Sequence, residues 1–254
     1  MQHAFTCVPV SPLRKDPSHT SEMVSQLLFG DPCSILQTEA GNWVKVCDES
    51  DGYTGWCQQS HLVETDRVIP GSGGLTKGWV NKIKFDHQEM HIPFGCTLPV
   101  NNKGRGTLGS KIISYDGKLF HPANGKITGG RIKKIAFTFI NTPYLWGGKS
   151  VFGTDCSGFS QAVYKFLNIA LPRDSAQQFE MGESIPLLGK AKRGDLVFFD
   201  NDEGKIVHVG ILLEQGQVIH ASGKVRIDHI DQQGILNSST NLRTHKLRGI
   251  RRYF

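Results

Sequence analysis

The sequence predicts an α+β protein: two small β-barrels, then a domain whose helices come first and whose antiparallel sheet follows. Three observations predict it. Residues 1–127 carry short β-type runs broken by Gly, Asn and Asp turn signals, with few helical periods. From Gly129 the apolar spacing turns helical twice, at Ile132, Ile135, Ala136 and Phe139 and again at Phe159, Ala162, Val163, Phe166 and Leu167. Strand-like runs then follow at Asp195–Phe199, Ile206–Leu213, Val218–Ala221 and Leu247–Tyr253.

Residues 1–66 form the first predicted barrel. Cys33-Ser-Ile-Leu-Gln-Thr and Trp43-Val-Lys-Val flank a Gly41-Asn42 turn, and Tyr53-Thr-Gly-Trp-Cys follows the Asp51-Gly52 turn. This part resembles a bacterial SH3 (SH3b) domain, in which a Trp-Val-Lys-Val strand is followed by a Gly-Tyr-x-Gly-Trp strand. After Pro70-Gly-Ser-Gly-Gly74, residues 67–127 read as a second, divergent SH3-like barrel or as an elaboration of the first. Residues 128–254 form the third part, whose first helix should stop near Thr142-Pro143.

A hydrophobic content of 38% with 20% charged residues fits a globular chain with a sizeable core. The net charge of +6 suits anionic partners, yet the only dense basic run is Arg248-Gly-Ile-Arg251-Arg252, so the sequence predicts no nucleic-acid partner. No run of about 18 apolar residues exists, so no membrane span is expected. The N-terminus lacks the pattern of a signal peptide, which predicts a cytoplasmic location, or a periplasmic one if a leader has been removed. On that basis the six cysteines are expected to be reduced thiols, and with no Cys-x-x-Cys pair a structural zinc site is not expected. Three motif-like strings fail their context. Gly104-Arg-Gly-Thr-Leu-Gly109 runs into a strand-like segment where a dinucleotide site needs a helix. Gly148-Lys149-Ser150 lacks the upstream glycine of a phosphate loop, and Arg193-Gly-Asp195 reads as a turn into a strand.

The chemistry gathers around Tyr144-Leu-Trp-Gly-Gly-Lys-Ser-Val-Phe-Gly-Thr-Asp155-Cys156-Ser-Gly-Phe. A glycine-rich turn delivers Asp155 and Cys156 to the start of an amphipathic helix. There, unsatisfied N–H groups and the helix dipole favour an anion, and a thiolate nucleophile is expected. Asp155 stands where a helix N-cap would stand, and Ser175-Ala-Gln-Gln178 has the form of a capping box. A cysteine nucleophile needs a histidine and a group that orients it. His208 and His220 lie in two strand-like runs flanking Glu214-Gln-Gly216. With a three-residue hairpin loop, Leu213 faces Gln217, Gly210 faces His220 and His208 faces Ser222. Both histidines then share one face.

Tyr144-x-Trp-Gly-Gly, Gly153-x-Asp-Cys-Ser-Gly-Phe, Leu171-Pro-Arg-x-Ser175, Gly194-Asp-Leu-Val-Phe-Phe and His208-Val-Gly-Ile together resemble the NlpC/p60 family of papain-like cell-wall cysteine peptidases, over about residues 129–254. The resemblance implies helices packed on an antiparallel sheet, with Cys156 as nucleophile, His208 as general base and then acid, and His220 as the orienting third residue. Tyr144 is expected to polarise the scissile carbonyl with the Cys156 N–H. SH3b barrels ahead of this domain are similar to the γ-D-glutamyl-L-diamino-acid endopeptidase (dipeptidyl-peptidase VI) subgroup. The subgroup implies action on a small murein peptide with a free L-Ala amine; a monomer is expected, and no cofactor or metal, because a cysteine–histidine peptidase supplies its own nucleophile and base. Asp155 and Glu22 would meet that ammonium, Tyr53 would border the peptide end, and Ser157 and Ser175 would bind the dipeptide. The alternatives are a lytic D,L-endopeptidase acting on polymeric wall with the barrels as anchors, a catalytically dead binding module, and an acyl transferase of the same fold.

Overall fold

The computed structural model describes residues 2–66, 73–122, 127–214 and 216–254. The junction expected at residues 66–67, residues Pro70–Ser72 of the glycine-rich link, and Gln215 of the expected hairpin loop lie outside the described residues. The chain forms two compact units, Met1–Asn124 with Trp146–Val151, and Gly125–Leu145 with Phe152–Phe254.

The first unit opens with seven antiparallel strands: β1 (Gln2–Thr6), β2 (Val10–Arg14), β3 (Met23–Leu28), β4 (Pro32–Glu39), β5 (Trp43–Asp48), β6 (Thr54–Gln58) and β7 (Leu62–Thr65). They pair in the order β3-β2-β6-β5-β4-β1-β7. The β4–β5 turn falls where Gly41-Asn42 predicted it, both residues having positive φ (75° and 60°), a region that Gly and Asn tolerate. Ala4, Leu13, Leu27, Cys33, Val44, Val46 and Cys57 form the buried core of this sheet.

Residues 74–120 add β8 (Gly74–Thr76), β9 (Val80–Phe85), β10 (Gln88–Pro93), β11 (Thr97–Leu98), β12 (Arg105–Leu108), β13 (Lys111–Ser114) and β14 (Leu119–Phe120). They make one sheet of order β10-β9-β13-β12 and another of order β11-β8-β14. The Gly104–Gly109 string is a β12–β13 hairpin, as its rejection as a nucleotide motif required. Ile83, Phe85, Ile92, Cys96, Leu98, Leu108 and Ile113 bury together with Leu28 and Phe29, so the core of this region incorporates residues next to and within β3. Gly30 makes that junction possible: its φ is +80°, and a Cβ there would lie 1.8 Å from the Thr97 carbonyl oxygen.

The segment Trp146–Val151 belongs to the same unit and includes β15 (Lys149–Ser150). Gln26 Oε1 accepts from Lys149 N (2.9 Å), and Lys149 Nζ pairs with Asp48 (3.1 Å) and Asp51 (3.7 Å). The supposed phosphate-loop lysine is therefore a buried counter-ion. Gly147 has φ +79°, and a Cβ on it would meet the Met23 carbonyl oxygen at 2.4 Å.

In the second unit, α1 (Gly129–Phe137) is capped by Thr128, whose hydroxyl accepts from Arg131 N (3.2 Å). Ile132, Ile135, Ala136 and Phe139 are buried, as their spacing predicted. Then come β16 (Gly153–Thr154), α2 (Cys156–Lys165) and the short α3 (Ser175–Phe179), which begins at the serine of the predicted capping box. The sheet comprises β17 (Glu183–Ile185), β18 (Leu196–Asp200), β19 (Ile206–Glu214), β20 (Gln217–Ser222), β21 (Lys224–Asp231), β22 (Gly234–Leu236) and β23 (Arg243–Arg252). β21 and β22, which the sequence did not predict, change the architecture. β22 pairs with β23, so β18 to β23 close into a six-stranded antiparallel barrel with β17 added outside β23. Val197, Phe199, Leu212, Val218, Ile230, Ile235 and Ile250 bury together along it. Among the described residues, no helix is long and apolar enough to cross a membrane.

Candidate active site

Cys156 is the first residue of α2, as predicted. Asp155 is its N-cap and accepts from Gly158 N at 2.7 Å. The same carboxylate is gripped at both oxygens by the buried guanidinium of Arg173, which also donates to Ser157 Oγ (2.9 Å). A substrate ammonium would have to compete with this guanidinium for Asp155. Ser175 is half of a predicted capping box, but the N-cap of α3 is Asp174. Gln178 points elsewhere, donating to the carbonyls of Ser157 (3.2 Å) and Pro172 (2.8 Å). Ser175 itself is buried, at the first position of α3.

The sulfur of Cys156 receives the backbone N–H groups of Val209, on β19, and of Ser157. Burial outweighs these donors and Arg173, and with Asp155 alongside it pushes the thiol up to about 11. The expected low-pKa thiolate is thus replaced by a resting thiol, because Cys156 is only 7% exposed. Burial and the nearby Cys156 and Asp155 likewise push the Tyr144 phenol up to about 12, so it remains a proton donor at neutral pH.

The two predicted histidines meet. Gly210 pairs with His220 across β19 and β20, as the expected register requires, although a bulge near the turn sets Glu214, and not Leu213, opposite Gln217. His208 Nε2 lies 2.9 Å from His220 Nδ1. Gly210 leaves room for this: a Cβ there would meet Val218 Cγ2 at 2.6 Å and the His220 Cβ at 3.1 Å. Two further residues complete the cluster, and the sequence reading named neither. Asp228 on β21 lies 3.1 Å from His220 Nε2, and His245 on β23 stacks on His208 with ring centroids 4.2 Å apart. Strand alternation could have found Asp228. Gly223 makes a tight turn that sets Ser222 opposite Lys224 and His220 opposite Arg226, which puts Asp228 diagonal to His220.

Burial first, then the neighbouring His220 and His245, hold His208 well below the ordinary histidine range, and burial lowers His220 against the pull of Asp228. Thiol and imidazoles are therefore all neutral at rest. The same shifts predict how the second unit responds to acid. Below the ordinary value of 6.5 the unfolded chain binds protons at these two positions and the folded chain does not, so stability falls as pH falls. The slope is about 1.4 kcal/mol per pH unit for each histidine until its lowered folded pKa is reached. Calorimetric scans from neutral to mildly acidic pH should show the melting temperature of this unit dropping through that window. A flat profile would mean that the two histidines titrate in the fold as they do in the unfolded chain.

In the first unit, Glu22 and Tyr53 line one shallow depression of about 570 Å³, with Lys15, Val24, Lys45 and Thr54 around them. Glu22 Oε1 accepts from the Trp146 indole N–H at 2.7 Å, which orients the carboxylate. Among the described residues, no group of three or more His, Cys, Asp or Glu is arranged to hold a metal ion.

Comparison with known proteins follows the same division. Residues 141–244 match the NlpC/P60 family, and residues 13–62 match the bacterial dipeptidyl-peptidase Sh3 domain. The gamma-D-glutamyl-L-lysine dipeptidyl-peptidase of Bacillus subtilis (strain 168) is 31% identical over 215 residues, which is 78% of this chain and 71% of that protein. The probable endopeptidase p60 of Listeria welshimeri is 44% identical, but over 96 residues, 37% of this chain and 18% of its own. A crystal structure of an NlpC/P60 family protein from Bacillus cereus ATCC 10987 has the same fold, with a TM-score of 0.83 at 22% identity and 99% of each chain covered.

Proposed function

The chain belongs to the NlpC/P60 family of cysteine peptidases, and on that premise we propose that it hydrolyses the bond between γ-D-Glu and the L-diamino acid of short murein peptides whose N-terminal L-Ala amine is free, releasing L-Ala-γ-D-Glu for recycling. The observation that carries this reading is the extent of the likeness. A relative named as a dipeptidyl-peptidase matches more than three quarters of this chain, and an SH3 domain described for such enzymes matches residues 13–62. Residues 67–127 are assigned to a second SH3-like barrel between that domain and the peptidase part, residues 128–254.

In this mechanism Cys156 Sγ attacks the γ-carbonyl carbon of D-Glu while its proton passes to His208. The oxyanion is held by the Cys156 N–H and the Tyr144 hydroxyl. The C–N bond then breaks, His208 returns the proton to the departing amine, and a thioester remains. Water adds to the thioester with loss of a proton to His208, and that proton restores the thiol as the dipeptide acid leaves. His220 orients His208. The dipeptide is assigned to Ser157 and Ser175, and Asp155, which also pairs with Arg173, is assigned with Glu22 to the free amine. The free amine is assigned to Glu22, oriented by Trp146, with Tyr53 beside it.

A mass-spectrometric cleavage assay tests the proposal. It compares L-Ala-γ-D-Glu-L-Lys and its diaminopimelate analogue with their N-acetylated forms and with intact sacculi. Release of L-Ala-γ-D-Glu from free-amine peptides alone is expected, and Glu22→Ala should raise KM for those peptides by about tenfold, as the loss of one charged hydrogen bond would. Cleavage of sacculi or acetylated peptides at comparable rates would overturn the assignment in favour of a wall-lytic enzyme.

A further inference from the structure

Asp228 is buried at 2% exposure, and the strand order puts it one strand beyond the two histidines. Three donors converge on its carboxylate: His220 Nε2 (3.1 Å) and Arg226 Nε (2.9 Å) at Oδ2, and Ser238 N (3.0 Å) at Oδ1. We propose that Asp228 is the positioning residue that fixes the tautomers of both histidines, and thereby turns the Nδ1 lone pair of His208 into the base that meets the Cys156 thiol.

The inference rests on the Cys156–His208 chemistry above, and it follows from counting protons along the chain of contacts. An ionised carboxylate only accepts, so His220 must carry its proton on Nε2. Its Nδ1 is then a bare acceptor, and the atom 2.9 Å away, His208 Nε2, must donate to it. A neutral His208 protonated on Nε2 has its lone pair on Nδ1, the ring nitrogen turned away from His220. Reverse any one proton and the last nitrogen becomes an N–H, which cannot take a proton from sulfur. Asp228 keeps the charge this logic needs. Burial would raise its carboxyl, but the His220, Ser238 and Arg226 hydrogen bonds hold it well below the usual carboxylate range. When the thiol proton arrives on His208 Nδ1, the imidazolium is stabilised through His220 by this fixed negative charge, with no proton moving to Asp228. The other ionisable groups facing the cluster are Arg226 on the same strand, which neutralises part of that charge, and His245 on β23, held neutral with its pKa lowered to about 4.

The arrangement makes asparagine a poor substitute, because an amide has one acceptor and one donor end. With its oxygen toward Ser238 N, its NH₂ faces His220 and forces both histidines into the opposite tautomers. With its oxygen toward His220, the NH₂ is set against the Ser238 N–H.

The test is a two-bond ¹H–¹⁵N spectrum of the ¹⁵N-histidine-labelled full chain at neutral pH, with His208→Gln and His220→Gln to assign the signals. Both rings are expected to be protonated at Nε2 and bare at Nδ1. A neutral proton on Nδ1 of either ring overturns the proposal, and this readout needs neither a substrate nor a variant of Asp228. In Asp228→Asn, kcat on a cleaved peptide should fall about a hundredfold with KM within about threefold, since general-base efficiency is lost and binding is not. Wild-type kcat with wild-type tautomers in that variant would also overturn it. A chain with the expected spectrum that cleaves no murein peptide keeps the relay and loses the substrate assignment. A chain that cleaves with reversed tautomers does the opposite.

Discussion

Cys156→Ala is expected to lower kcat for murein-peptide hydrolysis by at least about 10⁴-fold, because nucleophile and base act as one unit and the base has nothing to activate once the sulfur is gone. The substitution removes a single atom from the first turn of α2 and leaves the Asp155 cap on Gly158 N in place, so the thermal transition should shift little. The cysteine is better tested by alanine than by serine, since a serine hydroxyl in the same site could still be served by His208. Turnover within about tenfold of the wild-type enzyme would remove Cys156 from the nucleophile's place, since only a loss far larger than that fits a covalent intermediate. Its partner measurement is alkylation by iodoacetamide. Because the resting thiol is pushed up to about 11 and His208 is neutral, alkylation in the wild type should depend on His208 and be slowed in His208→Ala. A free thiolate at the helix N-terminus would be alkylated equally fast in both.

That result also marks where the sequence was legible and where it was not. The position of Cys156 at a helix start followed from apolar spacing and a glycine-rich approach, which are local signals. The joint geometry of His208 and His220 followed from a hairpin, also local, and it survived a wrong turn detail because the bulge lies beyond Leu212, on the turn side of the Gly210–His220 pair. The ionisation state of the thiol was not legible. The helix N-terminus that favours an anion is a local feature, whereas burial is a tertiary one, with β19 brought against the sulfur through the Val209 N–H. Asp228 and His245 were missed for a related reason. β21 does open on a strict alternation, Lys224-Val-Arg-Ile-Asp228, but placing Asp228 one strand from His220 also needs the turn at Gly223, and the three-residue β22 is too short to signal its closure on β23. The closing strand was read from Leu247, yet it starts at Arg243, and His245 lies in the omitted stretch.

Lys149→Met is expected to destabilise the first unit by about 3–5 kcal/mol at neutral pH, the cost of leaving a buried carboxylate without its counter-charge. Asp48 is 1% exposed. Burial by itself would raise its carboxyl, but Lys149 and the hydrogen bonds from Ser50 hold it below the usual range. In the wild type, then, the pair contributes stability that is present above the ordinary carboxylate value of 3.8 and is lost as pH falls through the lowered folded value. In the variant the sign reverses. Without Lys149 the folded pKa of Asp48 rises, the folded state takes up a proton before the unfolded one, and the gap to the wild type narrows as pH drops. All four tryptophans, Trp43, Trp56, Trp79 and Trp146, belong to the first unit, so guanidinium unfolding followed by tryptophan fluorescence reports on that unit. The midpoint should fall in the variant at neutral pH and recover part of the difference at mildly acidic pH. Asp48→Asn combined with Lys149→Met should be more stable than Lys149→Met alone, since the unpaired charge is gone. A loss below about 1 kcal/mol at neutral pH, with no pH dependence, is what a solvent-screened surface pair would give, and it would show that Trp146–Val151 is held to the first unit by the backbone hydrogen bond to Gln26 and the close approach at Gly147.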